Sequence, residues 1–219
     1  MDKEYVVKIL KTGFVTHNVK SFIIEKPNSY NFISGQATDI SINNSDLKDE
    51  KRPFTFTSTP KDMVLEFIIK KYPKGITEKI HELEANDELI IGETFGYFDY
   101  KGEGIFIAGG TGITPFLSIF RNIGEETAKN KLIFSNKTHK DIICERELKE
   151  MFKENLILLL TNEKKEGYLN ARINKDFLKE NITDFTKHFY VCGPIEFVKN
   201  IKLGLIELGA SFDKIVVEK

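Results

Sequence analysis

The stretch Gly104–Phe120, GIFIAGGTGITPFLSIF, carries no charge in a chain of 219 residues of which 30% are charged. It is shorter than the ~20 apolar residues a membrane-spanning helix needs. It also holds four glycines and a proline, both poor helix formers. GIFIA, with its β-branched and aromatic residues, reads as a buried strand. GGTG supplies the backbone freedom of a tight turn. ITPFLSIFRNI then spaces Phe116, Leu117, Ile119, Phe120 and Ile123 as a helix does, and Pro115 suits a first helical turn. The order is strand, glycine turn, helix. The first amides of such a helix have no intrahelical acceptor, and the helix dipole adds partial positive charge. The turn is therefore suited to an anion, a phosphate foremost.

On either side of this stretch the chain has two grammars. From Lys3 to Phe98 short strand-like runs recur: YVVKIL, VKSFIIEK, ATDISI, FTFTS, MVLEFIIKKY and DELIIGE. Several alternate apolar and polar residues, as half-buried antiparallel strands do, and their spacing predicts a sandwich or small barrel. TEKIHELEA is the one helical pattern there. After Gly102 strands alternate with helices: KLIFSNK, DIICERELKEMFKE, LILLLT, INKDFLKENI, HFYVCG, PIEFVKNIKLGLIELGA and FDKIVVE. That rhythm predicts βαβ units and a mostly parallel sheet. The expectation is two domains, an antiparallel β-barrel over 1–101 and an α/β domain over 102–219.

Bulk composition narrows the function classes. A hydrophobic fraction of 41%, with 18 phenylalanines and no tryptophan, suits a soluble globular protein. The net charge of −1 gives no electrostatic case for nucleic acid or an anionic membrane. Cys144 and Cys192 are too few for an iron–sulfur cluster or a structural zinc site, and the histidines are scattered, so no metal centre is expected. MDKEYVVKIL is too short and too charged for a signal peptide, and the cytoplasm is the expected compartment.

Three stretches carry candidate chemistry. In RPFTFTSTP, Arg52–Pro60, an arginine precedes alternating aromatic and hydroxyl residues. A guanidinium pairs bidentately with phosphate, hydroxyls hydrogen-bond a heterocycle and an aromatic stacks on one. By period alone the stretch serves equally as an amphipathic strand with a solvated arginine. In KYPKGITEKIHEL, Lys74 and Gly75 end a loop and Thr77 stands at the helix start. That junction is either a second anion site or simply a capped helix. GGTGITP begins like a dinucleotide fingerprint, but Pro115 takes the third glycine position. The next strand ends in Ser135-Asn136-Lys137 where an acidic residue is usual. A conventional NAD-binding Rossmann unit is excluded, and a phosphate-cradling turn in a variant α/β domain is retained.

In this order and spacing, with SGQATDISI and ELEANDELIIGETFGYF between them and FYVCGP after them, these stretches resemble the ferredoxin–NADP reductase family of flavoproteins over essentially the whole chain. The resemblance implies FAD in the barrel and NADPH or NADH in the α/β domain. It implies that Arg52 binds the flavin pyrophosphate, Phe54 packs on the ring system and Thr55 hydrogen-bonds near N5. Ser58 and the backbone of Ile69 and Lys70 would edge the flavin, with Gly75, Ile76 and Thr77 around its phosphates. Gly110, Thr111, Gly112, Thr114, Pro115, Gly193 and Pro194 would border the nicotinamide nucleotide, and Cys192 would sit beside its reactive carbon. Ser135, Asn136 and Lys137 could receive a 2′-phosphate, which tilts the expectation to NADPH; the other option is a lysine merely exposed after a strand.

Two departures stand out. The family often has tyrosine where this chain has Phe54. The sequence given also ends IVVEK without the terminal aromatic that shields the flavin in many members, so the expectation is either easier nicotinamide access or a neighbouring group in the aromatic's place. Glu218 corresponds either to a carboxylate near the flavin in some members or to a solvated strand end. The implied activity is hydride transfer from NAD(P)H to FAD, with electrons leaving to a separate acceptor: ferredoxin, flavodoxin or a small molecule. An electron-input subunit of a larger complex and a non-catalytic flavin- or nucleotide-binding module are the alternatives.

Overall fold

Alternating burial along β1 (Tyr5–Thr16), where Val7 and Ile9 point inward between exposed neighbours, sets the pattern of the first half. β1 pairs antiparallel with β2 (Val19–Glu25) and β6 (Glu88–Phe95). With β3 (Ala37–Ile42), β4 (Arg52–Thr55) and β5 (Val64–Lys70) these strands make a six-stranded sheet in the order β4-β3-β6-β1-β2-β5. The two end strands meet through one isolated bridge, Phe56↔Phe67. Inside, Phe56 stacks on Phe32 at 4.2 Å and tilts against Phe67 at 4.9 Å between ring centres. The computed structural model describes residues 3–96 and 98–218; Tyr97, within the barrel-exit stretch, lies outside them.

In the second half every strand is parallel, in the order β11-β10-β7-β8-β9. These are β7 (Gly104–Gly109), β8 (Lys131–Asn136), β9 (Leu156–Leu160), β10 (His188–Cys192) and β11 (Ile215–Val217). β7 is buried along its whole length, as a parallel strand covered on both faces must be. That is why its sequence reads as an unbroken apolar run. The intervening helices are α2 (Thr114–Ile123), α3 (Glu145–Phe152), α4 (Lys175–Asn181) and α5 (Ile195–Glu207). The fold expectation is met: an antiparallel half followed by a parallel α/β half.

By contacts the chain divides into two compact units, Met1–Tyr97 with Thr114–Asn122, and Phe98–Ile113 with Ile123–Lys219. Helix α2 therefore belongs with the antiparallel sheet, although its sequence follows the glycine turn. No helix among the described residues is long and apolar enough to cross a membrane.

Two elements differ from expectation, each for a local reason. The TEKIHELEA pattern shrinks to α1 (Ile76–Ile80). The buried Lys20 ammonium bonds the carbonyls of His81 at 3.0 Å and Leu83 at 3.4 Å, ending the helix with a cation. The FTFTS strand stops at Thr55, because Thr57 and Ser58 turn to bond Glu66 instead.

Candidate functional site

The Phe56↔Phe67 bridge is an isolated one, and beyond it no pairing joins β4 to β5 among the described residues. The sheet stays open between Arg52–Thr55 and Ile68–Lys70, since β4 and β5 are not neighbours in it. This notch collects five residues singled out in the sequence: Arg52, Phe54, Thr55, Ile69 and Lys70. Arg52 is exposed, with Nη1 donating to the Lys51 carbonyl at 2.7 Å, and Phe54 and Thr55 are half-buried.

β5 runs on into the loop before α1. Lys74 takes the left-handed conformation, φ 62°, and Gly75 is the extended residue at the helix start. The amides of Ile76 and Thr77, as first helical residues, have no intrahelical acceptor. Thr77 does not cap the helix. Its hydroxyl accepts from the Tyr72 amide at 3.0 Å, while the Glu78 carboxylate accepts from the Lys74 amide at 2.9 Å. The Lys74 amide, and then Lys71, hold the Glu78 carboxyl below its usual value. The loop is thus braced by its own side chains, leaving helix-start amides for a ligand. His81, just past α1, is buried, and its Nε2 donates to the Ile69 carbonyl at 2.8 Å.

In the α/β unit the candidate residues lie at the carboxyl ends of the parallel strands, where open α/β sheets bind ligands. Gly109 lies opposite Ser135, Asn136 opposite Leu160 and Cys192 opposite Ala108. The turn Gly110–Ile113 passes directly over the end of β10: a β-carbon on Gly112 would meet the Gly193 nitrogen at 2.6 Å. One on Gly193 would meet the Phe197 ring at 2.8 Å and the Gly109 α-carbon at 3.3 Å. Glycine is required at both places for the two turns to approach.

Beside them Asn136 is 4% exposed, and neither its side-chain nitrogen nor its oxygen has a partner among the described residues. Its main-chain carbonyl accepts from Thr161, and that of Lys137 from Asn162, each at 2.9 Å. Ser135 is half-buried and the Lys137 side chain exposed. Among the described residues the buried side-chain polar atoms without a partner are those of this carboxamide and the Ser41 hydroxyl; an orphaned carboxamide at a strand end is suited to a polar ligand.

Burial pushes the Cys192 thiol up to about 12, and the Glu218 carboxylate adds to the rise. Cys192 is therefore a neutral, compact thiol with no nucleophilic character at ordinary pH. Glu218 lies just past β11, and Pro194 is exposed before α5. Thr111 and Gly110 are half-buried in the turn. Thr114 and Pro115 start α2, which falls in the other unit.

Sequence inspection passed over Glu66, Ser118 and Arg121, which bind Thr57 and Ser58, and over Lys20 and His81. Their signal was available. Glu66 is the one acid within VLEFII and Arg121 the one cation within TPFLSIFRNI, and a lone charge in an apolar run is buried only with a partner.

The chain is similar to known families and proteins. The family described as "FAD-binding domain" matches residues 4–143, and that described as "Oxidoreductase NAD-binding domain" matches residues 106–202. NADH-cytochrome b5 reductase 1 of Kluyveromyces lactis is 31% identical over 234 residues, covering 95% of this chain and 82% of the relative. NADH-cytochrome b5 reductase 2 of Mycosarcoma maydis is 31% identical over 218 residues, covering 87% of this chain; the match spans 61% of that relative's length. A ferredoxin NADP+ reductase from Neisseria gonorrhoeae, solved with bound FAD and NADP, superposes with a TM-score of 0.86. It is 21% identical, and the match covers 99% of this chain and 98% of that one, a likeness of fold.

Proposed function

Because the chain belongs to the ferredoxin–NADP reductase type of flavoprotein, an FAD-binding half followed by an oxidoreductase NAD-binding half, we propose that it oxidises NAD(P)H. It is an FAD-dependent reductase that passes the electrons to a separate acceptor. The observation that supports this is the sheet left open between its end strands β4 and β5, with an arginine, an aromatic ring and a hydroxyl, Arg52, Phe54 and Thr55, carried on β4 at that edge.

The residues present fit both cofactors. Arg52 is free of carboxylate partners among the described hydrogen bonds and pairs with the FAD pyrophosphate. Phe54 offers its face to the ring system, and Thr55 its hydroxyl near N5. The amides of Gly75, Ile76 and Thr77 take the phosphates, while Ile69 and Lys70 line the far edge of the notch. Ser58 has its hydroxyl oxygen engaged by the Glu66 amide, so it supports the strand and retains one O–H to donate. On the α/β side, Gly110, Thr111, Gly112, Gly193 and Pro194 border the dinucleotide; Thr114 and Pro115, expected to do the same, start α2 in the antiparallel unit. Asn136 supplies an unused donor and acceptor to it. Cys192 presents an uncharged thiol that packs beside the nicotinamide without competing for its hydride.

Bound FAD supplies the hydride acceptor and the one-electron steps onward; the protein supplies alignment and phosphate binding. Ser135 and Lys137 favour NADPH by the chemistry of a 2′-phosphate, whereas the relatives' names favour NADH. The acceptor is a ferredoxin, a flavodoxin, a haem protein of the cytochrome b5 kind or a small molecule. The cytoplasm is the compartment we propose.

The test is direct. Protein reconstituted with FAD should be yellow and should bleach under anaerobic NADH or NADPH, and steady-state rates with each should rank the two. A protein that takes up no FAD on titration would overturn the proposal. Bleaching without reduction of any soluble acceptor would favour an electron-input subunit.

A further inference from the structure

We infer that Glu66 and Arg121 are positioning residues for the flavin-contacting segment Thr55–Ser58, acting on it through Thr57 and Ser58; the inference rests on the function proposed above. The Glu66 carboxylate accepts from the Ser21 hydroxyl at 2.8 Å, from the Thr57 hydroxyl at 2.8 Å and from Arg121 Nη1. The same Nη1 donates to the Thr57 carbonyl at 2.7 Å. The Glu66 carbonyl accepts from the Thr57 amide at 2.8 Å, and the Glu66 amide donates to the Ser58 hydroxyl at 3.0 Å. From one turn earlier on α2, the Ser118 hydroxyl donates to the Ser58 carbonyl at 2.7 Å, and the Ser34 hydroxyl reaches the Ser118 carbonyl at 3.2 Å.

Thr57 and Ser58 are thus tied through both carbonyls, one amide and both hydroxyls. Thr55, two residues earlier, is the half-buried last residue of β4, an end strand of the sheet.

Anchoring α2 does not need this clamp. Phe116, Leu117 and Phe120 are already 0% exposed, which gives the helix its apolar attachment. Arg121 and Glu66 are partly buried, with side chains 21% and 19% exposed; ionic groups withdrawn from water add little to stability beyond apolar packing, and their best-attested use is to select one arrangement among several. Here the arrangement selected is that of the backbone immediately after Thr55. Loss of Arg121 would leave the Thr57 carbonyl and the Glu66 carboxylate short of a donor, both largely shielded from water.

The experiment is a double-mutant cycle on the full chain, with FAD affinity and the visible spectrum of the bound flavin as readouts. Arg121→Met and Glu66→Gln should each weaken FAD binding about tenfold and blur the fine structure of the flavin band. The double variant should be no weaker than the weaker single, because both remove one clamp. Arg121→Lys should recover part of the affinity. Affinities within about twofold of wild type in folded variants, with only the melting temperature lowered, would overturn the inference, as would additive losses in the double variant. Ser118→Ala, which removes a single hydrogen bond to Ser58, carries the same test if a charged variant fails to fold. It should weaken FAD binding and leave the fold intact. A wild-type chain that binds no FAD would instead refute the proposed function itself.

Discussion

A β-carbon on Gly112 would stand 2.4 Å from the carbonyl oxygen of Cys192, so the glycine turn and the end of β10 meet backbone to backbone. Neither side can yield as a flexible side chain would. Gly112→Ala must shift one of the two turns, an overpacking that costs about 1–3 kcal/mol. Both turns border the proposed dinucleotide site. The melting temperature should fall and the dissociation constant for NAD(P)H should rise about tenfold, while FAD content stays unchanged. An unaltered nucleotide affinity in the folded variant would detach this turn from nucleotide binding.

Arg52 tests the flavin cradle from the other end of the chain's chemistry. It is exposed, and its Nη1 bonds the neighbouring Lys51 carbonyl, so Arg52→Met should leave the melting temperature of the FAD-free protein nearly unchanged. Charge-assisted bonds to a phosphate are worth about 1.5–3 kcal/mol, and their loss should weaken FAD binding about 10- to 100-fold. Purified Arg52→Met protein should therefore be paler than wild type. Equal FAD affinity would move the pyrophosphate away from this arginine.

His81 gives a pH dependence whose sign follows from its surroundings. Burial, chiefly, holds its pKa below the ordinary 6.5, with Lys20 and Lys71 adding to the depression and the bond to the Ile69 carbonyl opposing it. The folded protein keeps the ring neutral where the unfolded chain would protonate it. As pH falls through 6.5 the unfolded state binds the extra proton and stability drops, until the folded pKa is reached. Melting curves between pH 8 and 5 should show this loss in wild type and a flatter profile in His81→Gln. Parallel profiles for the two proteins would show that the ring does not titrate in this window.

The fold was legible because its signals are local. Alternation in YVVKIL gave an antiparallel strand, and the uncharged run at Gly104 gave a parallel one. What stayed hidden depends on partners distant in sequence. The five-residue length of α1 is set by Lys20, 61 positions before His81 in the ordering of donor and acceptor. The end of β4 is set by Glu66 and Arg121, which no period connects to RPFTFTSTP. Of the candidate site, the residues expected are those that form motifs: Arg52–Thr55, Gly75–Thr77, Gly110–Pro115 and Cys192–Pro194. The supports behind those motifs appear only once β4 and β5 are seen to meet at Phe56 and Phe67.

Asn136 separates a binding role from a structural one most cleanly. Its side chain is buried with both polar atoms unpartnered among the described residues, a state that costs about 1–3 kcal/mol in a folded protein without ligand. Asn136→Leu keeps the branched outline of the carboxamide and has nothing to satisfy, so the ligand-free variant should melt at the same temperature as wild type or higher. The same change should weaken NADH and NADPH binding about tenfold, because the dinucleotide loses the group that would have completed the carboxamide's bonds. The neighbouring Lys137→Ala provides the contrast: its ammonium is exposed, and its loss should raise KM for NADPH alone if a 2′-phosphate lies there. Calorimetric titration of both nucleotides into both variants reads the two effects separately. A lower melting temperature with unchanged nucleotide affinity in Asn136→Leu would mean that the carboxamide bonds within the protein, and the dinucleotide would have to lie elsewhere on these strand ends.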